Sequence, residues 1–175
     1  WIFLAVHAVL LIVFFTCRIY LMAAVNIGSV VFYTVMIRHC RKHLIGYLCA
    51  AYAEILIHMS LAVIAAGWAC GFQLYLFSVM PGYFYCTYLT GRSGMKSISP
   101  YLTSGLSIFL FLVLRAVMAV RPALYTFSTP YAEYIFFCAN ALLAFGFMVM
   151  YMGNFETVSS ESESMLEAAA YIDDM

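Results

Sequence analysis

From Trp1 to Ile37 the chain carries a single formally charged side chain, Arg18. A helix of that length at 1.5 Å per residue would be about 55 Å long, nearly twice the hydrocarbon core of a bilayer. The segment therefore has to fold back on itself. The polar triplet Thr16, Cys17, Arg18 is the one place for the corner. This reading presupposes a membrane, and the composition supplies one: 66% of residues are hydrophobic and 9% charged, with a mean hydropathy of +0.99, far from the balance of soluble domains.

The same counting along the rest of the chain gives an all-α integral membrane protein, a bundle of six transmembrane helices at about 1–16, 19–37, 44–67, 72–89, 101–120 and 131–152. "WACGF" (Trp68 to Phe72) is too short to be anything but a turn. Pro81-Gly82 sits at the centre of helix four and predicts a kink, since proline removes a backbone donor. Residues 1–152 form the membrane domain and 153–175 a cytoplasmic linker helix. The chain starts at Trp1 and stops inside a helical pattern, so both ends are expected to be cut, with no signal peptide to interpret.

Net charge is zero, which makes the placement of charge informative rather than its total. Nothing in it asks for nucleic acid. Arg38, Arg41, Lys42, Arg92 and Lys96 follow helices two and four, against Arg18 and Arg121 at the other ends. Basic loops resist translocation, so the first set is cytoplasmic, and six spans of a cell membrane then put both termini on the cytoplasmic side. All but one of the eight acidic residues lie at or after Glu133; the exception is Glu54. Six scattered cysteines, with no C-x-x-C spacing, read as small packing residues, a Cys17–Cys70 pair being the lesser alternative. Tyr83, Phe84, Tyr85 and Tyr88 read as an interfacial belt.

Ionisable groups at membrane depth are candidate functional residues by default. Counted inward from the outer ends of their spans, His7, Asn26, His58, Asn140 and Glu54 lie about 10 to 20 Å deep. Glu54 and His58 are four apart and share a helix face. With Asn26, Asn140 and His7 they would line an outward-facing pocket with a charge at its floor, as a ligand-binding or proton-sensing element. Arg115 lies about 12 Å shallower than Glu54 and is a poor partner for it. Two isolated histidines are too little to call for a metal, and no metal or cofactor is expected. Taken singly, Asn26 and Asn140 read first as interhelical hydrogen-bonding groups and His7 as a satisfied core histidine.

After the last span, Gly153-Asn154 weakens the helix, and Ser160-x-x-Glu163 has the form of a capping box able to start a new one, a helix continuous from span six being the alternative. Val158, Ser162, Met165, Ala169 and Ile172 recur at four-three spacing, an a/d stripe of about two heptads. The closing "AAAYIDDM" resembles the segment leading into GGDEF-type diguanylate cyclase domains: Ala170, Asp173 and Met175 match A-x-x-D-x-[LM]. "EILIH" on helix three, "GFQLYL" and the proline of helix four are similar to the six-helix N-terminal regions of clostridial-type signalling proteins. The resemblance implies a bacterial membrane sensor whose relay helix (Met165, Ala169, Ile172, Asp173) meets its counterpart in a homodimer. It also implies a cyclase domain beyond residue 175 that makes cyclic di-GMP. No catalytic residue lies within the chain itself. A small-solute transporter is the alternative.

Overall fold

The computed structural model describes residues 1–39, 44–92, 94, 98–127 and 129–173, without side-chain detail for 44, 92, 130 and 166–173. The described residues form six α-helices and no strand: α1 Ile2–Thr16, α2 Tyr20–His39, α3 Leu44–Ala66, α4 Tyr75–Arg92, α5 Pro100–Val120 and α6 Pro130–Asp173. Two short 3-10 turns, Trp68–Cys70 and Phe72–Leu74, join α3 to α4. Four of these helices contain stretches long and apolar enough to cross a membrane, Tyr20–His39, Ile45–Ala66, Pro100–Val120 and Tyr131–Met165, and α1 is a shorter apolar helix. Large apolar side chains such as Leu112, Leu142 and Val149 stand exposed on the outside of the bundle. That suits lipid and would be a liability in water.

The corner after α1 falls where the polar triplet puts it. Ile19 N–H donates to the Phe14 carbonyl (2.9 Å) and Arg18 N–H to that of Phe15 (3.1 Å), the two bonds of a Schellman motif. Arg18 occupies the left-handed position with φ +60°, where glycine is usual. The apolar contact that accompanies such motifs comes from Ile19 and Phe14, both fully buried. It holds the turn although its central residue is an arginine.

One end of the bundle is stitched together by backbone. Gly67 ends α3 at φ +97°, ψ 161°, a conformation open to glycine alone. Leu124 and Tyr125 of the α5–α6 connection donate to the Ile64 and Ala65 carbonyls (3.1 and 3.0 Å), satisfying two acceptors that a helix end leaves unpaired. Gly71 adopts φ +82°, and a Cβ there would stand 3.0 Å from Phe137 Cδ2 and 3.3 Å from Phe137 Cα. α6 thus lies directly on the turn. The thiols of Cys17 and Cys70 are both free, Cys70 donating to the Ala66 carbonyl (3.2 Å). The alternative disulfide is absent.

Of the two readings of the tail, a restart at Ser160 and a helix continuous from the last span, the structure has the second: α6 is one helix of 44 residues, about 66 Å long, and its C-terminal part extends well past any bilayer core. A glycine costs a helix only about 1 kcal/mol. Against this, Thr157 Oγ1 bonds the Gly153 carbonyl (3.0 Å) and Phe155 packs edge-on against Tyr88 of α4 (5.2 Å). One expectation is corrected, that of the aromatic belt: Tyr83 is buried and packs on Tyr52 (5.2 Å) in the core. α4 itself is continuous through Pro81, and a Cβ on the adjacent Gly82 would meet the Tyr151 ring at 2.9 Å.

Gly71→Ala forces an L-residue into the left-handed region, worth about 1–2 kcal/mol, and drives a methyl group into Phe137. Thermal unfolding of the detergent-solubilised protein should show a clearly lowered midpoint. A midpoint equal to wild type would mean that α6 does not rest on this turn.

Candidate functional site

The polar residues of the bundle interior converge on one carboxyl group. Glu54, on α3, is reached from α2 by two hydroxyls, Ser29 donating to Oε1 (2.5 Å) and Tyr33 donating to Oε2 (2.7 Å). His58, one turn further along α3, places Nδ1 3.3 Å from the same Oε1 and 3.2 Å from Ser29 Oγ. α1 contributes His7, whose Nε2 is 3.5 Å from Oε1. Three helices therefore meet at a single side chain.

Each contributor is placed by helix periodicity. Asn26, Ser29 and Tyr33 fall at i, i+3 and i+7 and line the buried face of α2, while Glu54 and His58 are i, i+4 on α3. His7 is oriented by its own helix: Nδ1 donates to the Phe3 carbonyl at 2.7 Å, which turns Nε2 toward the carboxyl group. The His7 ring stands edge-on to His58 (4.9 Å) and tilted on Tyr33 (4.9 Å). His7, His58 and Ser29 are almost completely buried.

Of the five candidates from the sequence, the structure gathers Glu54, His58 and His7. Asn26 is on the correct face but one turn away, its amide donating to the Met22 carbonyl (2.8 Å). Asn140 belongs elsewhere. It donates to the Cys70 carbonyl (2.8 Å) and accepts from Tyr75 (3.2 Å), so it fastens α6 to the connecting turn rather than lining a pocket. Arg115, as expected, does not meet Glu54; its guanidinium lies over the Trp68 ring at 5.3 Å, a cation–π contact. Ser29 and Tyr33 were missed. The signal was present in the three-four spacing of polar residues along helix two, which the counting of single ionisable groups passed over.

The expected single pocket is in fact two spaces. A cavity of about 90 Å³, mostly apolar, lies between α1, α3, α4 and α6, with His7, Tyr52, Ser78, Tyr83, Phe147 and Tyr151 in its wall. On the other side of the cluster a groove between α2 and α3 is lined by Ser29, Glu54 and His58. The cluster is the partition between them: His7 faces the cavity, and Glu54 and His58 face the groove. Compared with known proteins, the chain matches no family model, no curated sequence and no solved structure at a significant level.

Tyr33→Phe keeps the ring contacts of Tyr33 with His7 and with Phe3 (5.6 Å) but leaves Oε2 without its hydroxyl donor. The loss should be about 1–3 kcal/mol, the range for leaving a buried acceptor unpaired, read as a lowered midpoint of thermal unfolding in detergent. Tyr20→Phe, at an exposed ring, should leave the midpoint in place. Equal midpoints for all three proteins would show that the Tyr33–Glu54 bond is not made.

Proposed function

We propose that the chain is a membrane-embedded sensory input module that passes a signal along α6 to a cytoplasmic output domain. One observation carries this reading. α6 presents Phe147 and Tyr151 to the internal cavity and then continues without a break to Asp173. A change in what fills the cavity, or in the polar partition beside it, displaces the same rigid element that emerges from the bundle. Signalling of this kind needs a ligand that favours one of two helix packings over the other, and the Gly82–Tyr151 contact, where a single methyl group does not fit, is a packing that small displacements change.

In this reading six helices cross the plasma membrane of a bacterium, α1 and α4 included, and Arg38 and Arg92 mark the cytoplasmic side. The relay segment is half-buried at Val158 and Ser162 and exposed at Met165. Ala169, Ile172 and Asp173 lie on the same helix, and their side chains fall outside the described residues. A homodimer formed through this segment would bring two output domains together. The resemblance of Ala170, Asp173 and Met175 to the entry of GGDEF domains supports a diguanylate cyclase as the output, with the signal arriving as a small molecule from the outer side. A transporter is less well supported, because paired broken helices are its usual device and α4 is the one helix with an interior proline among the described residues.

The test uses membranes carrying the full parent protein. Glu54→Gln should change basal cyclic di-GMP output per protein molecule by about fivefold or more, the lower end of ordinary coupling energies, with membrane levels of the protein unaltered. Output superimposable on wild type would remove Glu54 from the sensing element.

A further inference from the structure

Ser29 and Tyr33 donate ordinary hydrogen bonds to Glu54, at 2.5 Å to Oε1 and 2.7 Å to Oε2, but the two histidines beside it stand too far off for such bonds. Charge-assisted contacts between a ring nitrogen and a carboxylate settle at about 2.7–2.9 Å, whereas His58 Nδ1 and His7 Nε2 stand 3.3 and 3.5 Å from the same oxygen. Nitrogen and oxygen ligands about 2.0–2.2 Å from a tetrahedral zinc ion are separated from each other by about 3.4 Å. The two gaps are the edges of such a site. The donor atoms of His7, Glu54 and His58 all lie within 4.8 Å of one another, which bounds the third edge, between the two histidines.

The surroundings fit ligation as well. His7 is 3% exposed, and its Nε2 is a buried atom with no hydrogen-bond partner among the described residues. Its other nitrogen bonds the Phe3 carbonyl, the outer contact that orients a ligating histidine and fixes its tautomer. Tyr33 bonds the carboxyl oxygen that faces away from the histidines, the corresponding outer contact for a carboxylate ligand. Two histidines and one glutamate, with a further position toward the groove between α2 and α3, form a donor set suited to zinc and to chemically similar divalent ions.

We propose that His7, Glu54 and His58 bind one divalent transition-metal ion, zinc being the ion their donor set fits, and that this ion ties α1 to α3 inside the membrane. Its use as a signal rests on the sensory reading above; its binding does not. Chelator-treated full chain in detergent is titrated with Co²⁺ as an absorbing probe and then with Zn²⁺. One Co²⁺ per chain should bind with the visible spectrum of a tetrahedral nitrogen and oxygen site and be displaced by one Zn²⁺. His7→Gln, His58→Gln and Glu54→Gln should each weaken binding by well over tenfold, and Tyr33→Phe, which touches no metal, by about tenfold. The double variant H39A/H43A should bind like wild type.

No uptake by the wild-type chain overturns the proposal without recourse to any variant. So does a sulfur-to-metal absorption band, loss of binding in H39A/H43A, or binding indifferent to the three ligand substitutions. Because uptake is read on the purified chain and cyclic di-GMP output on membranes, failure of the metal site and failure of the sensory reading are separately visible.

Discussion

A carboxyl group inside a membrane protein has to find its partners within the protein, because lipid offers none. Glu54 takes hydrogen bonds from Ser29 and Tyr33 on α2, and His58 beside it on α3 and His7 on α1 bring ring nitrogens to 3.3 and 3.5 Å of the same carboxyl group. Lipid tails are as apolar as leucine, so there is little hydrophobic drive to bring these helices together. Hydrogen bonds and close packing select the arrangement instead. The shared carboxyl group sets the rotation of all three helices about their axes, since turning any one of them by a residue would withdraw its contribution.

The remaining helices are held by backbone and by aromatic packing. Gly67, Gly71 and the carbonyls of Ile64, Ala65 and Cys70 bind the turns after α3 to the α5–α6 connection and to α6. Phe14, Phe72 and Phe136 stack beneath them. At the other end of the bundle α4 and α6 meet at Gly82 and Tyr151, and α5 is attached through Tyr52, which donates to the Thr103 carbonyl and contacts Ser107. One end of α6 thus rests on the backbone of the turn after α3, and the stretch beyond the cavity is guided by side-chain packing against α4.

Helix count and corners were legible in the sequence because they follow from length: an apolar run too long for a bilayer must turn, and Arg18 marks where. The fate of residues 153–160 was not legible. There a weak local preference for ending the helix competes with the continuity of a helix already nucleated, and the packing of Phe155 on Tyr88 decides the outcome. Within the site, Glu54, His58 and His7 were recoverable because ionisable groups in lipid are conspicuous. Ser29 and Tyr33 are ordinary membrane residues taken singly. Their role comes from sharing a helix face with Asn26 and from the facing angle of α2 and α3, and no single-helix pattern contains that angle. Asn140 shows the converse: it bonds across helices, as its residue type suggests, but depth alone does not say toward which neighbour an amide points.

The account therefore rests on the cavity-lining and emergent parts of α6 moving together as one rigid element. Spin labels at Leu112 on the outer face of α5 and at Ser164 on the emergent helix, in a background with Cys17, Cys40, Cys49, Cys86 and Cys138 replaced by serine, report that relation as a distance distribution. A narrow distribution whose mean shifts when Glu54 is replaced by glutamine is the result the account predicts. A broad distribution, the same in both proteins, would contradict it.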